Sequence, residues 1–246
     1  MTADTSEQDE TMVYRPADER GKTERDWLES YHTFSFGRHR DPNWTRWGPL
    51  RVMNEDYIDP NSGFSMHRHE NMEILTYPVS GEITHEDSSG GEGVIRSGQI
   101  QRMTAGAGIR HSERNDSRTE SLHLLQIWVL PEEKGLEPSY ETVELSPPEE
   151  VRNRLDLIAD PDADKGPVRI HQDVSLYRGH LEPDQKVHHE FKGDRVGWIQ
   201  LISGRVEVGD LQLSAGDGVG IRPQSALDIR SSTSAHFLFF DMNGGN

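Results

Sequence analysis

Two short segments of the chain carry the residues best suited to metal chemistry. They are His67-Arg68-His69 and His111-Ser112-Glu113. Because side chains alternate between the two faces of a β-strand, residues two apart project from the same face. Two such strands side by side would direct three imidazoles and one carboxylate to one point, a ligand set that suits a divalent first-row transition metal. Four ligands leave two positions of an octahedral ion open, so the pattern favours a catalytic metal site over a structural one.

The glycines around the two segments strengthen this interpretation. A lone His-x-His pair is more often two solvent-facing histidines on an edge strand than a metal site. Here Gly63 precedes the first pair, and Gly81 follows it after an apolar run at 74–79. Gly98 and Gly106 precede the second pair. Glycines at this spacing supply the turns between the short strands of a small β-barrel.

These segments resemble the two sequence motifs of the cupin superfamily and, more narrowly, those of the pirin family. The cupin motifs are matched by Gly63, His67, His69, Glu73 and Gly81, and then by Gly98, Gly106, His111 and Asn115. The segments similar to pirins are 30–36, 48–56, 73–77, 101–106, 108–113 and 122–128. The similarity runs from about Tyr14 to the end of the chain and is closest to the bacterial pirins described as quercetin 2,3-dioxygenases.

The resemblance implies which residues bind the metal. Carried over one by one, the ligands are His67, His69, His111 and Glu113. Many other cupins take their carboxylate from the first motif, where Glu73 has the same strand parity as the histidines. In pirins the carboxylate comes from the second pair, so Glu73 is expected behind the ligands, where it would orient a ligand or a water. One ion per chain is expected, namely iron, with manganese, cobalt, nickel, copper and zinc left open.

The resemblance also implies an activity. It indicates an oxidoreductase similar to the flavonol 2,3-dioxygenases, which open the heterocycle of quercetin with O2 and release carbon monoxide. Glu113 is the expected general base for the flavonol hydroxyl, a role that requires the carboxylate to loosen from the metal when it takes the proton. Two alternatives stay open: a non-catalytic metal-binding pirin that acts as a protein-interaction partner or transcription co-regulator, and a cupin oxygenase for another small molecule.

Composition limits the other possibilities. The chain has 246 residues, no cysteine and a formal net charge of -17. Disulfides and thiolate metal sites are therefore excluded, and direct binding to nucleic acid is not expected because an acidic surface repels phosphate backbones. The acidic surface fits either a salt-adapted source or an ordinary solvated surface. No apolar run reaches a membrane-spanning length and no signal peptide pattern opens the chain, so a cytoplasmic protein without membrane contact is expected.

The sequence predicts an all-β protein of two tandem cupin barrels of the jelly-roll type with few short helices. A strand, glycine turn and strand pattern at 79–83 returns at 202–206. The strongest helix signal is at 147–155, where acidic residues follow two prolines. The expected organisation is a disordered acidic tail at 1–11, an N-terminal metal-binding barrel at 12–134 and a C-terminal degenerate barrel at 135–246.

The C-terminal barrel is expected to lack the chemistry of the first. His188 and His189 are adjacent, so on a strand they point to opposite faces and cannot bind one ion together. The segment 219–225, which follows the second glycine turn, contains no imidazole. This half of the chain is therefore expected to be structural, or to form a lid or partner surface for the first barrel.

The remaining histidines and the aromatic residues receive other predictions. His171 is expected to make a surface or interdomain hydrogen bond, and His85 to be a solvated loop residue. His32 and His123 are expected to line the pocket or to pack near it. An aromatic-rich stretch is expected to pack in the core, with one or two of its members at the mouth of an apolar substrate pocket. Its members are Trp27, Phe34, Phe36, Trp44 and Trp47.

Overall fold

The structure is a computed structural model of the chain, and it describes residues 11–88 and 90–244. Within these residues the chain forms 21 strands and two single turns of 3₁₀ helix, Ala17–Glu19 and Pro148–Glu150. In chain order the strands are β1 Met12–Arg15, β2 Gly21–Arg25, β3 Leu28–His32, β4 Leu50–Ile58, β5 Ser62–His69, β6 Glu73–Ser80, β7 Glu82–Asp87, β8 Glu92–Arg96, β9 Gln99–Thr104, β10 Ile109–Asn115, β11 Leu122–Val129, β12 Ser139–Glu144, β13 Leu155–Ala159, β14 Val174–Leu181, β15 Lys186–Glu190, β16 Arg195–Ser203, β17 Arg205–Val208, β18 Leu211–Ser214, β19 Gly218–Ile221, β20 Ala226–Ser231 and β21 Ala235–Asn243.

The strands form four sheets, which make two barrels. The first barrel combines a seven-stranded sheet, β12-β9-β6-β11-β4-β3-β2, with a four-stranded sheet, β5-β10-β7-β8. The second combines a six-stranded sheet, β1-β19-β16-β21-β14-β13, with a four-stranded sheet, β15-β20-β17-β18. The large sheet of each barrel lies in the middle of the molecule, where it is covered on both faces. The prediction of an all-β chain with two tandem cupin barrels is therefore confirmed.

Strand β21 shows how the two barrels share one core. Its central residues are all apolar and fully buried. Phe237 and Phe239 belong to the core inside the second barrel, whereas Leu238 and Phe240 belong to a core between the two large sheets that also contains residues of the first barrel. Because alternate side chains enter different cores, the strand reads as a continuous apolar run rather than as an apolar and polar alternation.

Trp198 of β16 lies at the centre of the contact between the barrels. Its ring centroid is 5.0 Å from that of Phe34, 6.0 Å from that of Trp44 and 6.1 Å from that of Trp47. Phe34 is therefore a core residue, and the half-buried Trp44 and Trp47 pack against the core, as predicted. Large aromatic side chains bury much apolar surface, so this cluster holds the two barrels against each other.

The strand pairing differs from the expected division at 134/135 in two places. Strand β1 was assigned to the first barrel, but Met12 pairs with Ile221 of β19, and the hydroxyl of Tyr14 donates to Asp217 at 2.8 Å. Strand β12 was assigned to the second barrel, yet it extends the seven-stranded sheet by pairing with β9. Each strand covers a sheet edge of the other barrel, which removes exposed backbone groups that would otherwise remain unpaired.

The ends of the chain and its helices complete the fold. The expected disordered tail falls mostly on residues 1–10, which lie outside the described residues; the carbonyl of Thr11 accepts from the backbone of Arg222 at 2.8 Å. The helix signal at 147–155 gives only the single turn at Pro148–Glu150. No helix within residues 11–88 and 90–244 is long and apolar enough to cross a membrane.

Candidate metal centre

Neighbouring strands of the first barrel bring the two predicted segments together. His67 and His69 lie on β5, and β10 places His111 directly opposite His67. The pairing of the two strands shifts by one residue between His111 and Glu113, which is a β-bulge. Gly63 faces this bulge, and a Cβ atom there would collide with the carbonyl of Glu113. Glycine is therefore needed at this position for β5 to approach the bulge closely.

Three histidines form a compact cluster of donor atoms. One ring nitrogen each of His67, His69 and His111 can be chosen so that all lie within 4.8 Å of one another. The ring centroids are 4.5 Å apart for His67 and His111, and 4.8 Å apart for His69 and His111. Nε2 of His111 lies 3.1 Å from Nε2 of His67. The parity argument made from the sequence therefore places the three imidazoles correctly.

The hydrogen bonds of the cluster leave its Nε2 atoms free for a cation. Nδ1 of His67 lies 2.9 Å from the carbonyl of Ser65, which can only accept, so Nδ1 carries the proton and Nε2 has a lone pair. Nε2 of His69 is buried and has no hydrogen-bond partner among the described residues. A lone pair of His67 that faces another ring nitrogen at 3.1 Å requires a proton or a metal between them. The residues present therefore fit a divalent metal.

Burial keeps the imidazoles of His69 and His111 neutral. It lowers the pKa of His69 to about 4 and that of His111 to about 2, and the neighbouring histidines add to both shifts. The cause is the cost of placing a charged ring in a poorly hydrated site next to other imidazoles. A neutral imidazole is the form that binds metal, so His69 and His111 are ready to bind without first losing protons.

Glu113 stands beside the histidine cluster but outside its 4.8 Å group. Its carboxyl group is buried and accepts from the Nε2 amide of Gln126 at 3.1 Å. Burial raises its pKa, while the bond from Gln126 and the proximity of His67 act in the opposite direction. The side chain lines the same cavity as His67 and His69. Its assignment as the fourth ligand stays a prediction.

His85 corrects one prediction from the sequence. It was expected in a solvated loop, but it lies on β7, is 6% exposed, and its Nε2 atom is 2.5 Å from Nδ1 of His111. Its ring also contacts that of Tyr140 edge-on at 4.9 Å. The acidic neighbours Glu86 and Asp87 suggested solvent, yet β7 alternates buried and less buried residues, and that alternation was the available signal.

Glu73 has His171 of the second barrel as a hydrogen-bond partner. Its Oε2 atom accepts from the backbone N–H of His171 at 3.2 Å and lies 3.0 Å from Nδ1 of the same residue, and its expected role in orienting a metal ligand or a water stays a prediction. The side chain is fully buried at the contact between the barrels. Asn71, with a φ of 49°, turns the chain between β5 and β6. The alternation of side chains along β5 therefore does not continue into β6, and it does not predict which way Glu73 points. The interdomain hydrogen bond expected for His171 is confirmed.

An open cavity of about 780 Å³ leads to the histidine cluster. Its walls include the aromatic residues Trp27, Phe36, Phe64 and Trp128, together with His32. Two members of the aromatic-rich stretch therefore do line the mouth, as the sequence allowed, and His32 lines the pocket as predicted. The prediction for His123 is wrong: its ring stacks on Tyr57 at 4.2 Å and its Nε2 atom is 2.9 Å from Glu55, so it lies on the face of the sheet opposite the cavity.

Polar side chains of the seven-stranded sheet form one wall of this cavity. On β3 and β4, His32 lies opposite Asn54 and Ser30 lies opposite Asp56, and each pair is hydrogen-bonded. Burial, helped by the nearby carboxylates of Glu113 and Glu55, raises the pKa of Asp56 to about 7, although the hydrogen bond from Ser30 acts in the opposite direction. The cavity thus combines aromatic walls with two buried carboxyl groups, an arrangement typical of a small-molecule site.

Comparison with known proteins identifies the family. Residues 13–129 match the family model described as Pirin, and residues 157–242 match that described as Quercetinase C-terminal cupin domain. The quercetin 2,3-dioxygenase of Escherichia coli strain K12 is 42% identical over 94% of this chain and 99% of its own length. The chain belongs to the pirin family. The pirin-like protein of Caulobacter vibrioides is 35% identical over 92% of this chain and 97% of its own length.

Solved pirin structures share the whole fold. The crystal structure of YhhW from Escherichia coli is 40% identical in sequence, has a TM-score of 0.91 and is matched over 96% of this chain and 99% of its own. A structure of the same bacterial pirin in complex with nickel(II) is 40% identical, has a TM-score of 0.90 and is matched over 95% of this chain and all of its own. The likeness covers both barrels and extends to a family member that binds a divalent metal.

The second barrel of this pirin has no matching donor cluster among the described residues, where the one group of three or more potential ligands is that of the first barrel. Nδ1 of His188 lies 2.7 Å from Asp228, whereas Nε2 of His189 lies 2.8 Å from Asp241 on another sheet. The two adjacent histidines therefore point in opposite directions, as predicted. His171 is hydrogen-bonded to Glu73 of the first barrel.

Proposed function

We propose that this protein is a metal-dependent dioxygenase that opens the heterocycle of a flavonol with O2 and releases carbon monoxide. One observation carries the proposal: three imidazoles of two paired strands place donor atoms within 4.8 Å of one another at a cavity. The relative named quercetin 2,3-dioxygenase, which this chain matches over nearly its full length, supports flavonols as the substrate class.

The proposed ligands are His67, His69, His111 and Glu113. A divalent metal bound to them would act as a Lewis acid and as a template for substrate and O2. The nickel(II) complex of a related pirin supports a divalent ion as the metal of this chain. Iron is our proposal for the ion in this chain, because imidazole and carboxylate ligands with open positions are the set that iron oxygenases use.

The cavity suits a planar aromatic substrate. Its volume of about 780 Å³ lies within the range of about 300–1,000 Å³ common for small-molecule sites. The rings of Trp128 and Phe36 meet edge-on at 5.4 Å and form an aromatic wall next to His69, whose ring centroid is 4.9 Å from that of Trp128. Such walls stack on or pack against flat rings and exclude water from them.

Glu113 is the proposed base that takes the proton of the flavonol 3-hydroxyl. The amide of Gln126 fixes one carboxylate oxygen at 3.1 Å, and the indole N–H of Trp128 lies 3.3 Å from Oε1 of Gln126, so the amide is itself held in place. Burial raises the pKa of Glu113, which makes the carboxylate a stronger base than a solvated one.

Oxygen consumption on flavonols tests this function. The protein is loaded anaerobically with iron, or with one other divalent metal at a time, and then mixed with quercetin and O2. We expect loss of the flavonol absorbance, one carbon monoxide per flavonol consumed, and no reaction with the His67→Ala variant, while His188→Ala keeps full activity. If the wild type consumes no flavonol with any loaded metal, the dioxygenase function is wrong and a non-catalytic metal-binding role takes its place.

A further inference from the structure

Asp56 is a buried carboxyl group of the cavity wall that has spare capacity to accept hydrogen bonds. It lies on β4, is 3% exposed and lines the cavity. The hydroxyl of Ser30, its partner across the β3–β4 pairing, donates to Oδ1. In the described part of the chain, Ser30 is the one side chain that hydrogen-bonds to this carboxyl group, and no lysine or arginine forms an ion pair with it.

A second buried aspartate of this chain accepts hydrogen bonds at both of its carboxylate oxygens. Asp160 of the second barrel is 5% exposed and also accepts from a serine, since the Ser175 hydroxyl lies 2.6 Å from its Oδ2 atom. Its other oxygen accepts from the backbone N–H of Asp162 at 3.0 Å. An ionised carboxyl group has about four acceptor positions, and leaving them empty in a buried site costs free energy. Among the described residues, the carboxyl group of Asp56 accepts a side-chain hydrogen bond from Ser30 alone.

The residues around Asp56 indicate which chemical group of a ligand could donate a further hydrogen bond to its carboxyl group. Asn54 and Gln126, which also line the cavity, carry neutral amides, and the carboxyl group of Glu113 adds negative potential at Asp56. An anionic ligand group is therefore disfavoured at this position. Four aromatic rings line other parts of the cavity, together with polar residues that include Glu24, Arg25 and Arg38, and these rings favour a flat apolar ligand body. An aromatic hydroxyl meets both conditions because it donates a hydrogen bond and carries no charge.

We infer that Asp56, held by Ser30, accepts a hydrogen bond from a phenolic hydroxyl of the substrate other than the 3-hydroxyl. This inference rests on the proposed function and narrows it to polyhydroxylated flavonols. Asp56 is then a specificity-determining residue: it holds the flavonol by a hydroxyl remote from the bond that breaks, while Glu113 acts on the 3-hydroxyl. A flavonol with no second hydroxyl leaves Asp56 without its partner and loses that binding energy.

Anaerobic binding of two flavonols tests the inference without turnover. Quercetin carries several phenolic hydroxyls, whereas 3-hydroxyflavone carries only the 3-hydroxyl. Binding to the metal-loaded protein is followed by quenching of tryptophan fluorescence, since Trp27 and Trp128 line the cavity. We expect Asp56→Ala to weaken quercetin binding by about tenfold or more, as for a lost hydrogen bond to a charged group, and to leave 3-hydroxyflavone binding within about twofold.

Two further variants keep the test decisive. Asp56→Asn preserves the shape of the side chain and the bond from Ser30, so it should show a smaller loss that is again confined to quercetin. Asp160→Asn, the matched change in the second barrel, should alter neither affinity. Equal weakening of both ligands by the Asp56 variants, or no weakening at all, would overturn the role of Asp56 while leaving the proposed function intact. If the wild type binds neither flavonol, the proposed function and this inference are both wrong.

Discussion

Nε2 of His85 lies 2.5 Å from Nδ1 of His111, at the side of His111 that faces away from His67. An imidazole that binds a metal through Nε2 carries its proton on Nδ1, so with a metal in place Nδ1 of His111 donates to His85. His85 must then accept through Nε2 and carry its own proton on Nδ1. A side-chain hydrogen bond with Gln101 continues this chain of contacts.

His85 should therefore set the affinity for the metal without touching it. Removal of a group that orients a ligand typically lowers metal affinity about 10–100-fold, and we expect a loss of this size for His85→Ala. His85→Gln should recover part of it, because its amide oxygen can accept from His111. Competition with a chelator measures the affinities, with His188→Gln as the exposed control. Unchanged affinity in His85→Ala would show that His111 needs no support.

Glu113 should matter for proton transfer more than for metal retention. Glu113→Gln keeps an oxygen at the site and removes the base, so we expect it to retain much of its metal and to bind quercetin, but to lose turnover by about 10²-fold or more. Single-turnover absorbance changes, together with metal analysis of the same sample, separate these effects.

Glu73→Gln is the matched control for Glu113→Gln. Because Glu73 contacts His171 between the barrels, this change should leave both metal content and turnover near wild type. If Glu73→Gln is instead inactive and poor in metal while Glu113→Gln works normally, the carboxylate ligand has been assigned to the wrong residue.

A half-buried histidine pair between the barrels should make the fold sensitive to acid. The rings of His180 and His236 stack at 4.1 Å, and Nε2 of His236 lies 2.9 Å from the hydroxyl of Tyr77. Burial, helped by Arg178 and partly opposed by Asp156, lowers the pKa of His180 to about 4. Burial, helped by His180 and Arg178, holds the pKa of His236 well below its usual value.

Both histidines therefore stay neutral in the fold at pH values where they are protonated in the unfolded chain. The fold loses stability as pH falls below about 6.5, where the unfolded chain takes up these protons, and the loss continues down to the folded pKa values. We expect the melting temperature of His180→Gln to fall less between pH 7 and pH 4.5 than that of the wild type. The exposed His188→Gln variant should follow the wild type. Parallel pH profiles for His180→Gln and the wild type would contradict this assignment.

The sequence predicted the histidine cluster because strand parity is a local property. The prediction required only that side chains alternate along two strands and that those strands are neighbours, as they are for the strands of His67, His69 and His111. The same reasoning does not extend to Glu73, since the left-handed backbone at Asn71 interrupts the count and the next strand belongs to the other sheet. It also missed His85, whose strand carries charged residues at its exposed end.

The sequence did not predict which barrel β1 and β12 join. Strand β1 has four residues. A segment this short has no periodicity from which its partner strand could be predicted. Its pairing with β19 and the bond between Tyr14 and Asp217 join residues about 200 positions apart. The side chains behind the metal site depend on such long-range placement: Gln126 reaches Glu113 from the other sheet of the barrel, and His85 meets His111 only because β7 pairs with β10. Such contacts follow from the packing of the barrel and not from local pattern.

The central claim is that one metal ion is held by the paired strands of the first barrel. Elemental analysis of purified protein, loaded with iron and freed of excess ion, tests it directly. We expect about one metal per chain in the wild type and in His188→Ala, and most of it lost in His67→Ala and in His111→Ala, each of which removes one donor from a different strand. Normal occupancy in both His67→Ala and His111→Ala would contradict the account.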